Sequence, residues 1–417
     1  MFAGRLSRGS LLLRTARPPI SCSLPTTLRR TYASTPPPFS RSSNPSPLAN
    51  AAIYALGAVG VGCLAYAAYD AYDTWRNTFP EQVRVPLKRG IAAKNAGDLG
   101  EGIAHKREAW NIAKQLPISS FRPPEPYLTL TGIAVDLAGD LEESGDVAAA
   151  YSLYSEALES VRDAAGLTTA ERMRGVGIAV KLGAMVEDAR DHPIIAEYTH
   201  HTRLDISKEE EERIRVWAVE EVLRVAMEVQ EQATGKKNES VDFANLKLPS
   251  GITKADICVP LLKLGEFYSQ NNKPMYAMPL FMQSATLLIA NGGDSVPRND
   301  LCNGARLMNN ISELVLRGQP TPEGLATAES WTLRSLGVLK IAQSKGNASE
   351  PDPTCETALA ITLINAGMLR ETAGDPKGAQ DYLILAMKQA KAIGLGEAVV
   401  EIQKTIDRIS QKAGVKV

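Results

Sequence analysis

The chain has 417 residues and a formal net charge of −1, but the charges are divided unevenly along it. Up to Tyr69 the only charged side chains are seven arginines. The rest of the chain therefore contains 39 of the 46 basic residues and all 47 acidic residues, and it is net acidic. This acidic remainder argues against nucleic acid as a partner, because phosphate recognition needs clustered Lys and Arg side chains.

Residues 1–32 have the composition of a mitochondrial transit peptide, rich in Arg, Ser and Thr and free of acidic residues. The arginines beside Leu11–Leu13 predict a short basic amphipathic helix. The segment Arg30–Ser34 resembles a matrix-processing site, which places cleavage after Tyr32. A basic tail without a targeting role is the alternative. Residues 33–50 are rich in Pro and Ser and are expected to form an extended linker.

Residues 51–72 are predicted to form a single transmembrane helix. Ala51–Tyr69 carries no charge and is about the length that crosses a bilayer core. Ala58 and Gly62 are small residues four positions apart, and we treat them as a candidate contact for another membrane helix. Arginines precede this segment and Asp70 follows it, so the N-terminus is expected in the matrix and the rest in the intermembrane space. A buried core helix is the alternative.

Residues 83–417 are predicted to form an all-α, tetratricopeptide-like solenoid of helical hairpins. Apolar residues recur at intervals of three and four, and Gly, Pro, Asn and Asp separate the segments. A tetratricopeptide hairpin packs a small residue of its first helix against an Ala and an aromatic residue of its second. Three copies keep the same spacing between these positions, namely Ala138, Ala150 and Tyr154; Gly265, Ala277 and Phe281; Gly367, Ala379 and Leu383.

Two further copies are weaker. Gly90 and Gly102 keep the spacing, but Lys106 occupies the aromatic position. In the other copy Met308 is aligned with Ala328 across a longer turn.

The array is also interrupted once. The segment 179–183 resembles a first helix whose partner is delayed until about residue 208, which predicts an insertion around residues 191–206. Residues 395–413 are expected to cap the last hairpin.

The sequence contains no recognisable catalytic, metal-binding or cofactor-binding motif, and the protein is predicted not to be an enzyme. His192, His200 and His201 lie near acidic residues but lack the spacing of a zinc site, so we interpret them as solvated loop residues. The cysteines are interpreted as small buried hydrophobic residues, because no pair has the spacing of a metal site or disulfide framework. They are Cys22, Cys63, Cys258, Cys302 and Cys355.

The inner face of a hairpin stack commonly binds segments of other proteins. Positions one and four residues after the small residue of each first helix are expected to project toward such a groove. Carboxylates and amides at these positions suit an extended peptide. The candidate peptide-groove residues are Glu142, Glu266, Ser269, Asn309, Ser312, Met368 and Glu371.

Leader, span and irregular array together resemble the fungal adaptor subunit of the mitochondrial inner-membrane i-AAA protease. The stretches CNGARLMNNISEL and GMLRETAGD–AQDYLILAM carry the resemblance most clearly. It implies a non-enzymatic adaptor, without a cofactor, that binds unfolded or misfolded proteins. These would be delivered to the i-AAA protease complex, together with a membrane co-adaptor, for quality-control degradation.

Two other functions are compatible with the same architecture. One is an assembly factor for a respiratory-chain complex, like the tetratricopeptide protein that serves complex III. The other is an import receptor in the outer membrane that faces the cytosol.

Overall fold

The computed structural model describes residues 78–191, 206–235, 240–249, 251–289, 296–318, 321–345 and 352–413. The predicted transit peptide, linker and membrane span, with Ala58 and Gly62, lie outside these residues, as does most of the predicted insertion. None of the helices in the described ranges is both long and apolar enough to cross a membrane.

All regular structure in the described ranges is helical, which confirms the prediction of an all-α chain there. A short 3-10 turn at Ile118–Ser120 separates α2 from α3. The α-helices are α1 (Glu81–Asn95), α2 (Leu99–Ala113), α3 (Pro126–Ser144), α4 (Val147–Arg162), α5 (Thr169–Asp191), α6 (Lys208–Thr234), α7 (Lys254–Gln270), α8 (Pro274–Ile289), α9 (Arg298–Gly318), α10 (Pro322–Ser344), α11 (Pro353–Thr372), α12 (Pro376–Ala392) and α13 (Gly396–Ala413).

The chain divides into two compact units, and the described part of the first, residues 78–129, contains α1 and α2. A β-carbon added at Gly90 would lie 2.7 Å from Cγ of Lys106, so the glycine lets the two helices approach closely. Lys106 is only 2% exposed and occupies the aromatic position, where its aliphatic stem supplies the packing. Asp98 caps α2 by accepting a hydrogen bond from the backbone N–H of Glu101 at 2.9 Å.

In the described residues, the second unit, from residue 130 onward, contains the hairpins α3–α4, α5–α6, α7–α8, α9–α10 and α11–α12, followed by α13. Its short turns reuse one device. Gly374 has a φ of +82°, which only glycine adopts easily, and Asp375 then accepts a hydrogen bond from the N–H of Gly378 at 2.9 Å. Gly145 and Asp146 repeat this arrangement between α3 and α4.

The packing inside these hairpins is tetratricopeptide-like. A β-carbon at Gly265 would lie 2.5 Å from the ring of Phe281, and one at Gly367 would lie 2.7 Å from Cγ of Leu383. Phe281 and Leu383 are each 1% exposed. The sixteen-residue spacing that predicted these contacts is therefore confirmed.

The alignment of the fourth hairpin by Met308 is wrong by one helical turn. Ser312 is the small residue of α9 that meets α10, and its hydroxyl donates to the carbonyl oxygen of Ala328 at 2.8 Å. Ala328 follows Ser312 by sixteen residues, so it takes the position that Phe281 and Leu383 hold in their hairpins and not the alanine position, which is twelve residues on. The turn is not unusually long, and the error arose because a serine was overlooked as a small residue.

The interpretation of the cysteines is also wrong for two of them. Cys302 of α9 and Cys355 of α11 form a disulfide. Cys258 is buried with a free thiol, as expected. No CxxC-like spacing marks the bonded pair, because the bond joins helices of two different hairpins, 53 residues apart.

Candidate polypeptide-binding face

Charged side chains on the first helices of three successive hairpins form ion pairs that link each helix to the next. We call Glu142, Lys181, Glu187, Lys263 and Glu266 the charged row. Lys181 of α5 pairs with Glu142 of α3 at 2.6 Å, and Lys263 of α7 pairs with Glu187 of α5 at 3.2 Å and with Glu266 at 2.9 Å. In both pairs between helices, the glutamate follows the small residue of its own helix by four positions. The lysine precedes the small residue of the neighbouring first helix by two positions.

Two predicted groove residues, Glu142 and Glu266, thus lie in the charged row and remain partly exposed. Glu142 also accepts a hydrogen bond from the hydroxyl of Tyr154 at 2.9 Å. Burial of the Tyr154 ring and this carboxylate together raise the pKa of Tyr154, so the phenol stays a hydrogen-bond donor. Glu142 is therefore held in place by its own hairpin and by the next one.

Three more predicted residues lie at the surface of α7 and α11. Ser269 receives Arg317 of α9, whose guanidinium donates to its carbonyl oxygen at 3.3 Å. Glu371 pairs with Arg408 of α13 at 2.8 Å. Met368 is half-buried on α11. The first of these contacts links α9 to α7, and the second links α13 to α11.

Asn309 and Ser312 do not reach the surface, since each is only 2% exposed. Asn309 Nδ2 donates to the Thr362 hydroxyl of α11 at 2.5 Å, and Ser312 bonds within its own hairpin as described above. Their inclusion followed from the misplaced small position. In the corrected register, the position one residue after it is Glu313, which pairs with Arg317.

An open apolar strip borders the charged row on α3 and α5. We use this name for Gly132, Val135 and Gly139 of α3 with Gly177, Val180 and Ala184 of α5. Within the described residues, a β-carbon at any of the three glycines would meet no atom within 4 Å, their own helix backbone aside. These three glycines therefore differ from Gly265, where the absence of a β-carbon makes room for the ring of Phe281.

The insertion changes the α5–α6 hairpin in a defined way. A β-carbon at Gly183 would lie 3.0 Å from Cζ of Arg215, which therefore takes the aromatic position 32 residues later instead of sixteen. Arg215 is 5% exposed and donates to the Gly183 carbonyl oxygen at 2.7 Å and to Glu211 at 3.0 Å. Glu187 of the charged row lies 3.7 Å from the same guanidinium.

Sequence reasoning missed Lys181, Glu187, Lys263 and Arg215. The sequence spacing could have identified the first three. Both lysines precede the small residue of their helix by two positions, and Glu187 follows Gly183 by four positions, as Glu142 follows Ala138. Arg215 had no signal, because an arginine does not match the aromatic pattern.

The predicted histidine cluster, His192, His200 and His201, lies outside the described residues. His105 of α2 lies between Glu101 at 3.7 Å and Glu108 at 3.6 Å. In the described ranges, no group of three or more His, Cys, Asp or Glu side chains is placed to hold a metal ion.

Comparison with known proteins finds similarity only among solved structures; no protein-family model and no curated protein matches the sequence. BtubC (BKLC) from P. vanneervenii is 15% identical, with 71% of this chain and 92% of that chain covered and a TM-score of 0.42. PilF of Pseudomonas aeruginosa is 13% identical over 78% of this chain and 98% of that chain, with a TM-score of 0.37. The TPR2AB domain of yeast Sti1, solved in a pHSP90 complex, is 13% identical over 79% and 98%, with a TM-score of 0.28. These scores are too low to argue from, so the tetratricopeptide-like assignment depends on the hairpin packing described above.

Proposed function

We propose that the chain is a non-enzymatic adaptor of the mitochondrial inner membrane. It binds unfolded substrate proteins through the open apolar strip and the charged row and delivers them to the i-AAA protease complex for degradation. In this proposal the N-terminus lies in the matrix, residues 51–72 cross the membrane beside a membrane co-adaptor, and the hairpin array lies in the intermembrane space.

The open apolar strip is the observation that carries the binding proposal. Glycine inside a helix costs about 1 kcal/mol relative to alanine. That cost is explained at Gly265 by the ring of Phe281, but the described residues give no such reason at Gly139 or Gly177. A bare helix backbone lets another polypeptide approach closely, as small residues do between packed helices.

The charged row complements the strip. Its carboxylates and lysines remain partly exposed, with side-chain exposures of 30% for Glu142 and 42% for Lys181. Polar groups beside a small apolar surface suit many unfolded sequences, because neither surface demands one particular side chain. This breadth is what an adaptor for misfolded proteins needs.

The Cys302–Cys355 disulfide supports the proposed compartment. Disulfides persist in oxidising compartments and are rare in the cytosol. The bond therefore favours the intermembrane space over an outer-membrane receptor that faces the cytosol. Digestion of intact mitochondria tests this directly, since the hairpin array should resist added protease until the outer membrane is ruptured.

Replacement of the strip glycines tests the binding proposal. In the full chain in mild detergent, Gly139→Leu with Gly177→Leu fills the open space while it raises helix propensity, so the fold is retained. Ser152→Leu, on the exposed side of α4, is the matched control. With fluorescently labelled, reduced and carboxymethylated α-lactalbumin as the unfolded probe, we expect at least tenfold weaker binding for the double variant and less than twofold for the control. Equal affinities would refute the proposed face.

Association with the protease needs a separate test. Purification of the tagged chain from mild-detergent extracts should recover the i-AAA protease, and deletion of the protein should slow the turnover of many membrane and intermembrane-space proteins. If the protease is absent and a single respiratory complex is lost, the protein is an assembly factor instead.

A further inference from the structure

The disulfide between Cys302 and Cys355 joins the first helices of two adjacent hairpins. The α-carbons are 4.9 Å apart, and the two residues are 0% and 1% exposed. One hairpin of this array, α9–α10, is thereby bonded covalently to the next, α11–α12.

The bond and a hydrogen bond set the same register between α9 and α11. Cys302 of α9 is bonded to Cys355 of α11. Two turns further along α9, Asn309 donates a hydrogen bond to Thr362, which lies two turns beyond Cys355 on α11. Seven residues separate the partners on both helices, so the helices run parallel with one fixed alignment. The covalent contact and the polar contact thus specify the same alignment.

The fully buried part of the core around the bond contains three alanines, Ala305, Ala342 and Ala358, beside the two cysteines. The larger apolar side chains of this core are Val296, Leu301 and Leu339, and Ile289, Val338 and Leu359 pack against them while partly buried. Because the stabilisation from burial scales with the apolar area removed from water, alanine contacts contribute little.

The polar contacts beside this core add register more than stability. Thr362 donates to the carbonyl oxygen of Ala358 at 2.7 Å, and Ser335 donates to that of Ala305 at 2.9 Å. Asn309 Oδ1 is buried and has no donor within hydrogen-bond distance among the described residues. A buried acceptor without a partner opposes the packing that buries it.

We propose that thiol oxidation is an obligatory step in the assembly of this array. The segment α11–α13 docks on α9–α10 stably only after a disulfide-carrying oxidoreductase has joined Cys302 to Cys355. Two thiols lose two protons and two electrons as the S–S bond forms, and the donor's disulfide takes up both to become a dithiol. Because exchange requires access to a cysteine sulfur and both are buried after docking, the donor must act on the open chain.

The proposal is independent of what the array binds, and it is tested on the full chain in mild detergent. Replacement of Cys22, Cys63 and Cys258 by Ala leaves only the bonded pair. The chain is reduced in denaturant and refolded with or without oxidised glutathione as the disulfide donor, and amide hydrogen exchange is then followed by segment. A Cys302→Ala/Cys355→Ala variant in the same background is the matched control.

Without the donor, we expect amide exchange in residues 353–413 to be at least tenfold faster than in the oxidised chain, with residues 130–191 unchanged. The control variant should show the fast exchange under both conditions. Native protection of 353–413 in the reduced chain would overturn the proposal, and so would a loss of protection that extends through α3 and α4. The proposed order, oxidation before docking, has its own test. It would be overturned if the refolded, reduced chain, with residues 353–413 protected, were oxidised as fast as the chain in denaturant.

Discussion

The substitution of glycine by alanine should have opposite effects at two positions of the array. At Gly265 the added β-carbon would lie 2.5 Å from Cε1 and 2.8 Å from Cδ1 of Phe281. At Gly139 the same atom would enter open space. Both residues lie inside helices, so the gain in helix propensity is common to the two variants, and only the packing differs.

The propensity gain is about 1 kcal/mol at each position. At Gly139 it is unopposed, so Gly139→Ala should raise the local free energy of unfolding by about 0.5–1 kcal/mol. At Gly265 the methyl group overpacks a ring that is 1% exposed, which costs roughly 1–3 kcal/mol. The net effect of Gly265→Ala should therefore be a destabilisation of up to about 2 kcal/mol, because the overpacking outweighs the propensity gain.

Segment-resolved hydrogen exchange is the suitable assay, since arrays of repeats do not always unfold in one step. Peptides from α7 and α8 should lose protection in Gly265→Ala, and peptides from α3 should gain it in Gly139→Ala. A Gly265→Ala/Phe281→Leu double variant should recover part of the loss, because the smaller side chain makes room for the methyl group. Increased protection in Gly265→Ala, as in Gly139→Ala, would refute the hairpin packing.

Other variants test the electrostatics and the free thiol. Arg215→Ala should destabilise α5 and α6 by about 1–3 kcal/mol, because Glu211, 1% exposed, loses its buried partner and keeps only the more exposed Arg190; unchanged exchange in these helices would contradict this. Lys181→Met should cost less than about 1 kcal/mol in thermal unfolding, because its pair with Glu142 is partly exposed; a larger loss would show a structural role for the charged row. Burial, with a smaller contribution from Asp300, raises the pKa of Cys258 to about 12, so its reactive thiolate is scarce at pH 8. Iodoacetamide should therefore modify Cys258 roughly 1000-fold more slowly than a free thiol until the chain unfolds, and a native rate near that of glutathione would contradict its burial.

The sequence predicted those parts of the fold that depend on local spacing. Gly265 and Phe281 lie sixteen residues apart because two helices and a short turn bring them together, and the same spacing placed Lys106 in a buried position. The register predicted for α9 was wrong because Met308 was taken as the aligned position and the small, polar Ser312, one turn later, was passed over.

Contacts between hairpins could not be predicted in the same way. The Cys302–Cys355 bond depends on how α9 aligns with α11, and no pattern along the chain records that alignment. Arg215 was equally hidden, because the insertion changed its spacing and its guanidinium, packed against Gly183 and hydrogen-bonded there, replaces an aromatic ring. The binding face was predicted in part, with Glu142 and Glu266 at the surface, but their lysine partners come from neighbouring helices.

Site-specific photo-crosslinking in intact mitochondria is the most direct test of substrate binding by the proposed face. A photoreactive phenylalanine analogue at Gly139 should capture unfolded intermembrane-space proteins, and the adducts should accumulate when the i-AAA protease is depleted. The same analogue at Ser152 on α4 should give little product. Equal yields at the two positions, or adducts at Gly139 that do not respond to loss of the protease, would contradict the account.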